Sequence, residues 1–255
     1  MANPDGRSEN QGDVWRDEGC DTVGGRNAAD IWRVCLDVDE LYVRQLQTLL
    51  SREERDRGSK YRFDTHRNSF IVRRGILRTV LAEYLGIKPD AVQYRTGDFG
   101  KLHLADSTHC LEFNVTHSHT MALIAVTEAG SVGVDLEFVR PLSDLEGLVD
   151  TCLSESERCK LDTFPPAERL EYFYRYWTCK EAWLKALGTG LDRSPASIQV
   201  SLTVSGTRHE ATLQANSHEL KDFAVTSFVP SAGYIAAVVA PSYVQLVLKT
   251  AGVPK

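Results

Sequence analysis

The chain has 255 residues, 42% of them hydrophobic and 25% charged, and a formal net charge of -6. That length suits one large domain or two smaller ones able to bury a core without staples. The acidic balance argues against general polyanion binding, and no apolar run approaches the ~18 residues of a membrane span.

Residues 1–29 form a polar leader with Gly24-Gly25 and no apolar signal region, so the expectation is a mobile segment rather than a secretory signal. A strand is predicted at Ile31–Val38. The first long helix is predicted over 67–85, where Phe70, Leu77, Leu81 and Leu85 form one apolar stripe beside Val72, Ile76, Val80 and Tyr84. Gly86 stands where a C-cap glycine belongs. A loop carrying Arg95 and Gly100-Lys101 follows, then predicted strands at Leu111–Thr116, Met121–Thr127 and Val132–Phe138.

The second half repeats this plan. Ser154-Glu155-Ser156-Glu157 fits a capping box that starts a helix. Pro165-Pro166 opens a helix over 166–187, which Gly188 closes as Gly86 closed the first. Strands are expected at Ser197–Val204, Phe223–Phe228 and Tyr234–Val239. Phe113-Asn114-Val115-Thr116 resembles Phe223-Ala224-Val225-Thr226, and the Ala122–Val126 strand resembles Ile235–Val239. The reading is an α+β fold of two similar subdomains in a pseudo-two-fold arrangement. Each packs a long helix on an antiparallel sheet, with a ligand cleft between them. The expected divisions are a leader over 1–29, halves over 30–138 and 139–245, and a tail over 246–255.

Charge is unevenly spread. Arg52 to Arg78 holds nine basic residues against four acidic ones, a net of +5 that leaves -11 for the rest. Such a segment is either a candidate site for a phosphate-bearing ligand or a solvated helix face. The six cysteines form no C-x-x-C pair, which excludes a zinc knuckle or a dithiol redox motif and fits reduced thiols in the cytoplasm. Cys179, mid-helix with no evident base, reads as packing.

Chemistry-bearing residues fall on both halves. In Val132–Phe138 the apolar residues alternate with Gly133, Asp135 and Glu137, so the two carboxylates share one strand face. Carboxylates at i,i+2 suit one hard divalent cation, and equally the polar face of a half-exposed strand. Gly133 leaves room for something to approach the backbone. In the second long helix Glu181 falls inside an apolar stripe between Trp177 and Leu184, with Lys185 one turn on. A charged pair within such a stripe is desolvated unless a metal or ligand compensates it. His117 and His119 flank Ser118 at a strand end, a pairing better suited to phosphate than to zinc.

The blocks FNVTHSH, VGVDLE and YWTCKEAWLKALGTGL, in this order, resemble the signatures of the Sfp-type 4′-phosphopantetheinyl transferases, and the resemblance runs from about residue 31 to residue 240. It implies an enzyme of two α+β halves with coenzyme A between them. By that resemblance Asp135, Glu137 and Glu181 hold Mg²⁺, Lys185 contacts the pyrophosphate, and Thr116 and His117 bind phosphate, His117 that of the 3′ position. Arg57, Arg95 and Lys101 complete the cradle for the 3′-phosphate and adenine. The implied reaction is attack by a carrier-protein serine on the β-phosphorus of coenzyme A, catalysed by Glu181, Lys185 and Asp135. Glu181 is the expected base, with a metal-bound water or Glu157 as rivals. Fatty acid, polyketide and peptide synthase carriers all fit as partners, and the enzyme is expected to be a cytoplasmic monomer that binds neither nucleic acid nor membrane. Another metal-dependent phosphotransferase or pyrophosphatase, or a non-catalytic carrier-binding module, is the alternative. The sequence departs from the family pattern at Leu102, where proline is usual, at Thr116, where serine is commoner, and at Glu54, where some members place lysine near the 3′-phosphate.

Overall fold

Two 22-residue helices and two five-stranded sheets organise the chain, a computed structural model that describes residues 15–17, 27–97, 100–106, 109–188, 193–205, 208–214 and 222–251. The expectation of a mobile leader falls largely outside these residues. The long helices are α3 (Asp64–Leu85) and α6 (Pro166–Leu187). Gly86 (φ 63°) and Gly188 (φ 73°) end them in the left-handed conformation that glycine enters cheaply.

The first sheet has the order β1 (Trp15–Asp17), β12 (Gln245–Thr250), β2 (Ala28–Cys35), β6 (Met121–Thr127), β5 (Glu112–Ser118). The second runs β7 (Gly133–Phe138), β11 (Tyr234–Pro241), β10 (Phe223–Phe228), β9 (Arg208–Gln214), β8 (Gln199–Ser205). Period-two alternation divides each sheet between two cores. On β2, Trp32 and Val34 pack with α3, while Ala29 and Ile31 face the other sheet. On β11, Ala237 and Val239 pack with α6, while Ala236 and Val238 meet the first sheet. The layers are therefore helix, sheet, sheet, helix.

Two expectations are corrected. The Gly133–Phe138 strand, assigned to the first half, is the edge of the second sheet, where it pairs antiparallel with β11. The predicted tail is also no tail, because Gln245–Thr250 inserts parallel to β2 in the first sheet, which is thus not wholly antiparallel. The buried Lys249 holds it there, 3.0 Å from Asp30 and over the Trp32 ring. A lone strand of six residues carries no signal of its partner in sequence.

The repeat runs deeper than the sequence pattern. Two short helices, α2 (Arg52–Ser59) and α5 (Glu155–Leu161), each begin with a capping box, Ser51 with Glu54 and Ser154 with Glu157. Each capping glutamate also meets a buried cation of the following long helix, Glu54 with Arg78 at 2.7 Å and Glu157 with Lys180 at 2.6 Å. Arg78 then donates to Pro89 O and Lys180 to Pro195 O, each the first residue of a 3₁₀ turn. Two further helices, α1 (Glu40–Leu49) and α4 (Leu145–Cys152), precede these pairs. The repeating unit is strand, three helices, turn, then hairpin, and its second copy begins with β7.

Candidate active site

From Tyr172 to Ala186 helix α6 is buried on nearly every side, and the partly open positions there, Trp177, Glu181 and Lys185, recur every four residues on one face. That face looks onto β7. The two elements approach so closely that a Cβ on Gly133 would lie 2.0 Å from Ala182 O and 2.5 Å from Ala186 N. What the missing side chain admits is thus the backbone of the helix that carries Glu181 and Lys185.

Val134 and Leu136 of β7 face the other sheet, which turns Asp135 and Glu137 toward α6. Lys185 Nζ lies 2.5 Å from Asp135 Oδ1, and Thr116 Oγ1 donates to the same oxygen at 3.1 Å. Asp135 Oδ2 and Glu181 Oε1 are buried with no hydrogen-bond partner among the described residues. Burial, then the charge of Asp135, pushes the carboxyls of both Glu137 and Glu181 above the ordinary carboxylate range. The three carboxylates therefore share one field, although among the described residues no three His, Cys, Asp or Glu already stand in ligating geometry.

Strand β5 supplies the opposite wall. β5 and β7 are edges of different sheets, and side chains of β5 satisfy the free edge of β7. Asn114 Oδ1 accepts from Val134 N–H at 3.0 Å, and Ser118 Oγ accepts from Phe138 N–H at 3.0 Å while donating to Glu137 Oε2 at 3.0 Å. The FNVTHSH block thus joins the halves through its even positions.

Two adjoining cavities of about 190 Å³ each open beside this seam. Arg73, Arg74, Lys101, Thr116 and His117 line the first. The second lies between the halves, with Lys101 and Asn114 on one side and Leu184, Lys185 and Gly188 on the other. Lys101 Nζ crosses between them to donate to Lys185 O at 2.9 Å. Burial and the neighbouring Arg74 push the Arg73 guanidinium down to about 10, which still leaves it cationic at neutral pH. Burial, then Arg73 and Lys185, pushes the His117 imidazole down to about 4. A cavity that strains its own cations this way is built for an anion.

The sequence-predicted residues divide accordingly. Asp135, Glu137, Glu181 and Lys185 converge, and Lys101, Thr116 and His117 line the adjoining cavity. Thr116 bonds Asp135 and Lys185 rather than standing free for a phosphate. Arg57 and Arg95 are exposed and do not line either cavity; the Arg57 guanidinium lies 5.7 Å over the Phe70 ring, and Arg95 pairs with His103 in a small hairpin. Glu54 points inward to Arg78, and Glu157 is buried, bound by Ser154 N–H, Val200 N–H and Lys180, which removes it as a base. Burial pushes the Cys179 thiol up to about 12, in keeping with packing. In the sequence Arg73 and Arg74 stand out only through the charge surplus between Arg52 and Arg78. Their spacing to Leu77 on one face of α3 was the available signal.

The sequence profile described as the 4′-phosphopantetheinyl transferase superfamily matches residues 131–239, a span holding β7 and α6. The 4′-phosphopantetheinyl transferase HetI of Nostoc sp. is 39% identical over 175 residues, covering 68% of this chain and 73% of that protein. This chain belongs to the 4′-phosphopantetheinyl transferase family. The 4′-phosphopantetheinyl transferase of Bacillus subtilis is 26% identical over 167 residues, 64% of this chain and 70% of that protein. Among solved structures, the holo-(acyl-carrier-protein) synthase of Bacillus anthracis in complex with CoA (3′,5′-ADP) matches at 21% identity and a TM-score of 0.37, over 43% of this chain and 92% of that one.

Proposed function

We propose that this transferase moves the 4′-phosphopantetheine group of coenzyme A onto a serine hydroxyl of an apo carrier protein, with Mg²⁺ as cofactor. The observation that carries the reading is the pair of unpartnered carboxylate oxygens, on Asp135 and Glu181, buried beside the Lys185 ammonium and the Arg73–Lys101–His117 cavity. Oxygen donors of this kind suit a hard divalent cation. Asp135, Glu137 and Glu181 would hold it, and when bound it supplies Lewis-acid stabilisation of phosphate charge.

The chain's own residues do the rest. Arg73, Arg74, Lys101 and His117 bind phosphate groups of coenzyme A. Lys185 exchanges its Asp135 partner for an oxygen of the pyrophosphate and neutralises charge as the bond to the leaving group lengthens. The serine oxygen forms a bond to the β-phosphorus, the bond from that phosphorus to the bridging oxygen breaks, and adenosine 3′,5′-bisphosphate leaves. Glu181, beside Lys185 on the same face of α6, is the acceptor proposed for the serine proton.

The test is incubation with Mg²⁺, coenzyme A and a panel of apo carriers from fatty acid, polyketide and peptide synthases, read by mass spectrometry. A gain of one phosphopantetheine on at least one carrier is expected. Coenzyme A cleavage without any carrier modification would assign a pyrophosphatase instead.

A further inference from the structure

We infer that Ser118 is a positioning residue for Glu137, committing one oxygen of that carboxylate to the hairpin and, together with Trp177 of α6, setting the orientation in which it meets the cation. The inference rests on the metal reading above, and its geometry is independent of it. A serine hydroxyl has a single proton. Ser118 Oγ accepts from Phe138 N–H at 3.0 Å, so its proton is committed to Glu137 Oε2, also at 3.0 Å. One hydroxyl thereby fixes both the backbone that follows Glu137 and the carboxylate itself.

The surroundings hold Ser118 in place. It ends β5, paired with Met121 across a two-residue turn in which His119 adopts a positive φ of 51°. The His119 ring packs on Phe138 at 4.7 Å, and the Thr120 hydroxyl and Tyr234 OH lie 3.0 Å apart. The hairpin tip is therefore clasped onto the second sheet by three neighbouring residues, Ser118 and His119 on the end of β7 and Thr120 on β11, and the Ser118 contact reaches a carboxylate of the site. Partners behind a ligating group characteristically set its orientation, and their removal costs roughly 10–100-fold in metal affinity.

The experiment measures Mn²⁺ binding to the full chain by electron paramagnetic resonance, with 3′,5′-ADP present, for wild type, Ser118→Ala and Ser118→Thr. Steady-state kinetics are run alongside as a function of Mg²⁺. Ser118→Ala is expected to weaken Mn²⁺ binding by about 10–100-fold and to raise the KM for Mg²⁺ more than it lowers kcat at saturating Mg²⁺. Ser118→Thr, which keeps the hydroxyl, is expected to restore most of both. Wild-type Mn²⁺ binding that Ser118→Ala retains within twofold overturns the inference alone, even if that variant melts earlier. Absence of Mn²⁺ binding by the wild type overturns the metal reading and this inference with it.

Discussion

Asp135 and Lys185 are in direct contact, Nζ to Oδ1 at 2.5 Å, across the junction of β7 and α6. The lysine is 29% exposed and the aspartate 6%, so the pair sits at the rim of the buried region rather than in it. Lys185 also reaches Val134 O at 3.3 Å and Thr116 Oγ1 at 3.2 Å. Asp135→Asn keeps an acceptor for these donors and removes the charge. It is expected to leave the thermal midpoint nearly unchanged while lowering kcat by roughly 10²–10³-fold, the scale for removing one preorganised electrostatic contact. Parallel melting and mass-spectrometric turnover check both halves of the statement.

Glu181 stands near Asp135 and Glu137, its carboxyl raised by burial and then by the Asp135 charge. A carboxyl raised in the folded state contributes stability below its unfolded pKa and loses that contribution as pH rises through the folded value. Metal-free protein is therefore expected to weaken as pH climbs above the carboxylate range. Glu181→Gln should raise its neutral-pH stability by roughly 0.5–2 kcal/mol and abolish transfer, a stability–function trade. Urea unfolding in chelator reads the sign; a destabilised variant would contradict it.

Gly133→Ala places a methyl group against the backbone of Ala182 and Ala186, which cannot yield as a flexible side chain would. Forcing β7 from α6 costs roughly 1–3 kcal/mol and shifts Glu181 and Lys185 together. Activity is expected to fall further than stability, measured by kcat at a temperature where the variant remains folded.

Lys180 is fully buried and donates to Glu157, Cys152 O and Pro195 O. Lys180→Met leaves Glu157 buried without its counterion, at a cost of about 3–5 kcal/mol. The double variant with Glu157→Gln should recover part of that loss, since neighbouring changes are not additive. A double-mutant cycle in urea gives the coupling directly.

His117, pushed down to about 4 by burial, Arg73 and Lys185, is neutral at physiological pH in the free protein. Because the unfolded imidazole binds a proton first, this residue's contribution to stability is full above the unfolded pKa and lost as pH falls toward 4. A phosphate in the adjoining cavity opposes the cationic neighbours and raises the imidazole. Coenzyme A affinity should accordingly fall as pH rises between the free and bound pKa values. Ring-proton NMR with and without 3′,5′-ADP measures the shift, and an imidazole unmoved by the nucleotide would contradict the placement.

The long helices were legible because each writes its own apolar period and ends at a glycine. The proline and the apolar period give α6 its observed bounds, whereas α3 begins at Asp64, three residues before the predicted start at 67. The site was legible wherever local order sufficed: Asp135 with Glu137 on one strand face, Glu181 with Lys185 one turn apart. Lys101 and His117 of the cradle were legible by their place in the motifs, but its arginines only as surplus charge, because Arg57, Arg73, Arg74 and Arg78 look alike in sequence. Packing then sends Arg78 inward to Glu54, Arg57 outward, and Arg73 and Arg74 to the cavity.

By itself the sequence determined the elements with periods of their own, the internal repeat and the carboxylates of the site. Contacts distant along the chain belonged to the tertiary structure: β7 in the second sheet, β12 in the first, Glu157 bound to Lys180, and Ser118 on Glu137. Alternation and helical spacing fix which way a side chain faces within one element, whereas its partner depends on how elements meet across sheet edges and helix faces.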